Sequence, residues 1–213
     1  MTNDVFTIGH STHPIDVFLG LLQQNRINAI ADVRSAPFSR YNPQFNRNDL
    51  QNSLKTARVR YVFLGKELGA RSDDPSCYKH DKVQYDLLAQ TPLFRKGIER
   101  VLEGAKSLRV ALMCAERDPL ECHRTILVSR ELQRFGIKVC HIQFDGGIET
   151  HPEAIDRLMR TLDIPAQDLF RSRVELEADA YARQAARIAY DRSNKKALPS
   201  ELDLIVFESD LTE

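Results

Sequence analysis

Each thing this 213-residue chain lacks removes a class of protein. It has no excess of charge of either sign: 30 Lys and Arg balance 30 Asp and Glu for a formal net charge of +0. No global field therefore draws it to nucleic acid or an anionic membrane, although a local basic patch stays open. No apolar run is long enough to cross a bilayer, and Met-Thr-Asn-Asp-Val-Phe-Thr-Ile-Gly-His lacks the basic start and apolar core of a signal peptide. A cytoplasmic protein without membrane contact is expected. Four cysteines (Cys77, Cys114, Cys122, Cys140) in a chain of this size do not resemble a secreted disulfide framework, so they are read as free thiols, catalytic groups or metal ligands. Internal repeats, low-complexity segments and a P-loop are absent, and Gly9 has no Gly-x-x-Gly continuation, which argues against a dinucleotide fingerprint.

What is present is an ordinary globular composition, 42% hydrophobic and 28% charged, long enough for one domain plus decoration. Val5–Ile8 reads as a strand stopping at Gly9-His10-Ser11, and Ile15–Arg26 as an amphipathic helix with Pro14 in its first turn. Ile27–Ala31 is the next strand, ending at Asp32-Val33-Arg34. Strand, helix and strand in so short a span predict a right-handed parallel βαβ unit, which would set Gly9-His10-Ser11 beside Asp32-Val33-Arg34. Further strands are expected at 60–64, 110–113 and 137–144, with helices near 48–57, 83–90, 92–107 and after Thr125. The pattern predicts an α/β fold: a mostly parallel open sheet flanked by helices over residues 1–169, with a C-terminal helical extension at 170–213. That extension is expected to hold a charged, alanine-rich helix at 171–192 and a short strand at 202–207.

The densest cluster of reactive groups runs from Cys114 through Glu116 to Cys122-His123-Arg124, where the aliphatic strand 110–113 gives way to a turn. Five strand exits carry polar groups: His10 and Ser11; Asp32 and Arg34; Lys66 and Arg71; the Cys114–Arg124 cluster; Asp145 with His151. In a parallel sheet these share the carboxyl edge, where ligands bind. The segments Thr7-Ile-Gly-His-Ser11, Asp32-Val-Arg34 with Pro37 and Ser39, Leu68-Gly69, Cys114-Ala-Glu116 with Cys122-His123-Arg124, and His141-Ile142 together resemble the signature of the domain-of-unknown-function family 488. The resemblance covers most of residues 5–160. It implies a compact α/β domain with a shared polar cleft and supplies no reaction.

Three chemistries suit these residues. First, Cys122-His123-Arg124 at a helix start, joined by Arg34, Arg40 or Arg71, suits an anion. The leading expectation is thus an enzyme acting on a phosphate-bearing small molecule or nucleic acid, with Glu116 and His10 as acid/base groups. Asp32 and Cys114 join the catalytic candidates, and Ser11, Arg34, Ser39, Cys122, His123 and Arg124 the substrate-binding ones. An Asp32–Arg34 ion pair tying loops together is the plainer reading of that pair. Second, Cys114 and Cys122 could form a redox or thiol-transfer pair. Third, the cleft could bind nucleotide or nucleic acid without turnover, while the C-terminal helix recruits a partner or a second copy. No cofactor is assigned. A metal has weak support, since Cys114 and Cys122 are too far apart for a tight knuckle; Cys122, His123, His10 and His151 would have to converge in space. No residue is assigned to one.

Overall fold

A computed structural model describes residues 4–193; the strand expected at 202–207 lies outside them. Strands β1 (Val5–Gly9), β2 (Ala29–Asp32), β3 (Arg60–Phe63), β6 (Val110–Cys114), β7 (Val139–Ile142) and β8 (Ile148–Thr150) form one sheet in the order β3-β2-β6-β1-β7-β8. All neighbours are parallel except β7 and β8. A small antiparallel hairpin, β4 (Tyr78–Lys79) and β5 (Lys82–Val83), stands apart. This is the mostly parallel α/β architecture that the alternation of strands and helices predicts.

The sequence pattern misplaces one neighbour. β1 and β2 do not pair: β6 lies between them, with Gly9 opposite Cys114 on one side and Asp32 opposite Met113 on the other. The exits of β1 and β2 therefore flank the end of β6, and only the long Arg34 side chain reaches across to His10. The strand order folds back at this point, which makes the end of β6 the switch point of the sheet.

Helices cover both faces. Phe6, Ile8, Ile30, Ala111 and Met113 pack against Phe18 and Leu22 of α1 (Ile15–Gln24) and Leu50 and Leu54 of α2 (Arg47–Thr56). The alternate side chains Val5, Ala31, Val110 and Leu112 meet Phe94, Ile98 and Val101 of α5 (Pro92–Ala105) and Ile155 and Leu158 of α7 (His151–Thr161). Period-two burial on strands buried on both sides is what a doubly covered parallel sheet requires. Between them, α3 (Gly65–Leu68) and α4 (Tyr85–Gln90) are short.

After β6 the chain makes a short 3₁₀ turn at Pro119–Glu121, a π-helical stretch at Arg124–Ser129, and then α6 (Arg130–Arg134). The C-terminal helix α8 (Arg173–Ile188) starts on a capping box, with Ser172 accepting from the Glu175 N–H and Glu175 accepting from that of Ser172. It turns Leu176, Ala180 and Tyr181 into the same core as β6. Val174, in its first turn, is exposed. No helix among the described residues is long and apolar enough to cross a membrane.

Candidate active site

Asp118 accepts from the Leu120 N–H at 2.9 Å and caps the 3₁₀ turn that follows β6. The turn folds the chain back so that Cys122 comes close to Cys114 and His123. Both thiols are buried, at 3% and 1% exposure. Their sulfurs sit 3.9 Å (Cys114) and 3.7 Å (Cys122) from Nδ1 of His123. The other ring nitrogen, Nε2, lies 3.1 Å from the carbonyl oxygen of Val33. A carbonyl only accepts, so Nε2 carries a proton and Nδ1 is left to face the sulfurs. The sequence pattern had no means of locating that carbonyl, which follows β2.

Electrostatics separates the two thiols. Burial works against ionisation of Cys122, but the Cys114 S–H, the Arg124 guanidinium and His123 outweigh it and hold Cys122 well below the usual thiol range. Cys114, as the hydrogen-bond donor to Cys122 and itself buried, is pushed well above it. His123 is raised despite its burial, because the Cys122 thiolate favours the imidazolium.

Arg124 is the largest fully buried side chain, with 0% exposure. Its Nη1 donates to the carbonyl of Glu116 at 2.8 Å and its Nη2 to that of Arg117 at 3.4 Å. The guanidinium thus pins the loop after β6. The helix-start N–H groups are also engaged: Arg124 N–H lies 3.4 Å from the Cys122 sulfur, and Thr125 N–H donates to the Cys122 carbonyl at 3.1 Å. Gly9 completes the packing. A Cβ there would stand 1.9 Å from the Glu116 carbonyl oxygen, so only glycine lets β1 pass this close. The Glu116 side chain itself is 42% exposed and 4.0 Å from Arg124 Nη1. Its partial burial and the Cys122 sulfur raise its carboxyl above the usual range.

Beside this cluster, Asp32 and Arg34 form the ion pair of the plainer reading. Arg34 Nε donates to Oδ1 at 2.9 Å and Nη2 to Oδ2 at 2.7 Å, while the Tyr61 hydroxyl donates to Oδ2 at 2.8 Å. Arg34 Nη1 lies 3.2 Å from Nε2 of His10, which must accept; Nδ1 of His10 then donates to the Ser11 carbonyl at 2.9 Å. Stacked on Phe45 at 4.3 Å, His10 is held at about 4 by burial and by Arg34, so it is neutral at pH 7. Ser11 and Ser39 line a cavity of about 350 Å³ with His10, Arg34 and Phe38. Ser39 Oγ accepts from the Asn42 N–H at 3.1 Å. Tyr41 is 94% exposed and away from this cavity's lining.

A separate cavity of about 250 Å³ reaches Cys114 and His123, walled by Arg34, Arg71, Tyr85 and Glu116, with Ile188 from the end of α8 and Tyr190 just beyond it. A larger one, about 760 Å³, adjoins Glu116 among Arg117, Asp118, Glu121, Phe144, Asp145 and Arg157.

His151 does not join the cleft. The Asp145-Gly146-Gly147 turn makes β7 and β8 an antiparallel hairpin, with Gly146 at φ +89. The reversal sets Thr150 opposite Cys140, at the far end of β7, so His151 meets His141 instead. Cys77 is fully buried in the core and Cys140 is half-buried on β7. Of the four metal candidates, only Cys122 and His123 come together, and Cys114 is their third member.

The molecule is therefore an α/β protein with two thiols and an imidazole gathered at the switch point of its sheet. It belongs to the family described as domain of unknown function DUF488, which matches residues 14–130. That span holds Arg34, Cys114, Cys122, His123 and Arg124. Neither the curated proteins nor the solved structures give a match to the chain.

Proposed function

We propose that the protein is a thiol-based redox or transfer enzyme whose active site is the cleft over Cys114, Cys122 and His123. One observation carries this reading: both sulfurs converge on Nδ1 of one histidine, at 3.9 and 3.7 Å, below a cavity that reaches Cys114. Cys114, which faces the cavity, forms the bond to an electrophilic substrate. For a disulfide substrate, Cys114 gives its proton to the neighbouring Glu116 carboxylate as its sulfur displaces one half as a thiolate, and the Cys122 thiolate then attacks Cys114 to release the other half and leave a protein disulfide. Glu116 at the rim and His123 handle protons. Asp32, Arg34 and His10 hold the adjoining loops in register, with Ser11 and Ser39 on the neighbouring cavity.

The test is alkylation of the reduced full-length protein by a small iodoacetamide-type reagent, with each cysteine followed by mass spectrometry. Modification of Cys114 well ahead of the buried Cys77, and faster still in Cys122→Ser, where the neighbouring thiolate that holds the Cys114 proton is gone, is expected. Cys114 and Cys77 reacting equally slowly would end the thiol reading.

One observation favours a phosphate-bearing substrate, small molecule or nucleic acid, at the same cleft: Arg34 and Arg71 wall the cavity that reaches Cys114. Arg71 also stacks on the Tyr190 ring, 4.6 Å from its centroid. Binding of inorganic phosphate or a nucleotide that weakens about tenfold in Arg71→Ala supports this specificity, as expected for a lost charge-assisted bond. Equal binding by both proteins removes it.

A further inference from the structure

We propose that, in its reduced state, the Cys114–Cys122–His123 cluster binds a thiophilic divalent cation of the zinc class, with a fourth coordination position open to the cavity. The inference rests on the reading of this dithiol as a reactive centre and adds its regulation: the ion and the protein disulfide exclude each other.

Geometry carries the argument. The three ligand atoms all lie within 4.8 Å of one another. A tetrahedral ion with bonds of about 2.3 Å to sulfur and about 2.0 Å to nitrogen sets its S···N edges at roughly 3.6 Å. The observed separations of 3.7 and 3.9 Å nearly match. His123 is also oriented as a ligand histidine is: Nε2 is anchored on the Val33 carbonyl at 3.1 Å, which fixes the ring and leaves Nδ1 free to coordinate. The Arg124 N–H pointing at the Cys122 sulfur, 3.4 Å away, is the kind of outer hydrogen bond that supports a metal thiolate. Two thiolates and an imidazole are soft donors, which select zinc-like ions over magnesium or calcium.

The other polar clusters do not offer this. In the line Thr7–His141–His151–Tyr181 the ring nitrogens are all engaged at 2.7 to 3.1 Å. In the large cavity, Asp118 and Glu149 are bridged by Arg157 at 2.9 and 2.8 Å.

Because both sulfurs are ligands, oxidation must release the ion. An oxidised small-molecule disulfide takes two electrons from the two thiolates, leaves as two thiolates, and yields a Cys114–Cys122 disulfide and a free divalent cation. Redox state and metal occupancy are thereby linked.

The experiment titrates reduced, chelator-treated full-length protein with Co²⁺ alone. A single equivalent giving sulfur-to-cobalt charge transfer and tetrahedral d–d bands, displaced by Zn²⁺, is expected. Cys122→Ser should weaken binding at least tenfold, while Cys140→Ser leaves it unchanged. A second arm needs no substitution: Zn²⁺ should protect Cys114 and Cys122 of the wild type from alkylation and leave Cys140 unaffected. Absence of charge transfer together with unprotected thiols overturns the metal site, as does equal binding by Cys122→Ser. If the site fails in this way while small disulfides still drive Cys114–Cys122 disulfide formation, the enzyme reading survives alone. If the ion binds but no disulfide ever forms, the metal site stands and the redox reading falls.

Discussion

Two buried polar clusters sit on the same face of the sheet, and their difference is instructive. In one, Thr7 Oγ1, His141, His151 and the Tyr181 hydroxyl form a continuous line with separations of 2.8, 3.1 and 2.7 Å. Each ring nitrogen has a partner, and none of its members lines the cavities at the cleft. In the other, two sulfurs and a nitrogen face one another at 3.7 to 3.9 Å beside a cavity. A closed hydrogen-bond chain stabilises and positions α8 on the sheet; loosely joined donors next to space are available for chemistry. Histidine content alone does not tell the two apart. The partner of each nitrogen does.

The largest expected effect tests the sealed cluster. Burial holds His151 at about 4, and burial with its neighbours His151 and Arg124 holds His141 well below its usual value. The unfolded chain takes up these protons near pH 6.5 and the folded chain only near pH 4 for His151. Stability is therefore full above about pH 6.5 and falls as the pH drops towards 4, by about 3 kcal/mol for His151 alone. Urea denaturation at stepped pH should show this drop, and His151→Gln should shrink it; the same slope in both proteins breaks the contrast.

Gly9→Ala tests the other cluster's framework. With a Cβ driven against the Glu116 carbonyl, a loss of about 2–3 kcal/mol is expected from overpacking, visible as a lower denaturation midpoint. Tyr181→Phe leaves His151 Nε2 without its partner and should cost about 1–2 kcal/mol, with faster hydrogen exchange concentrated in α8. The smallest effect is at the thiols themselves. Cys114→Ala should change stability by about 1 kcal/mol, the worth of one small buried group, yet remove disulfide formation and metal binding altogether. A large stability loss there would make the thiols structural.

The amphipathic patterns and the polar strand exits locate the fold and the cleft, because doubly covered strands and parallel exits leave local marks in a sequence. Long-range pairing leaves fewer. That β6 inserts between β1 and β2 depends on packing across a hundred residues, and it turns two expected neighbours into the flanks of Cys114. The reversal at Gly146 was readable as an Asp-Gly hairpin turn, and missing it puts His151 in the wrong cluster. Arg124 was visible as a cation; only the fold aims it at the backbone carbonyls of Glu116 and Arg117. Val33 contributes a carbonyl, which no side-chain pattern can mark.

On the proposed reading, Cys114 and Cys122 act as one reactive pair. Mass spectrometry of the proteolysed full-length protein, after exposure to an oxidised small disulfide, tests it most directly. The expected product is a peptide pair joined through Cys114 and Cys122, formed faster than any mixed disulfide at Cys77 and reversed by reduction. A protein that keeps both thiols free, or joins either one to Cys77 or Cys140 instead, would contradict it.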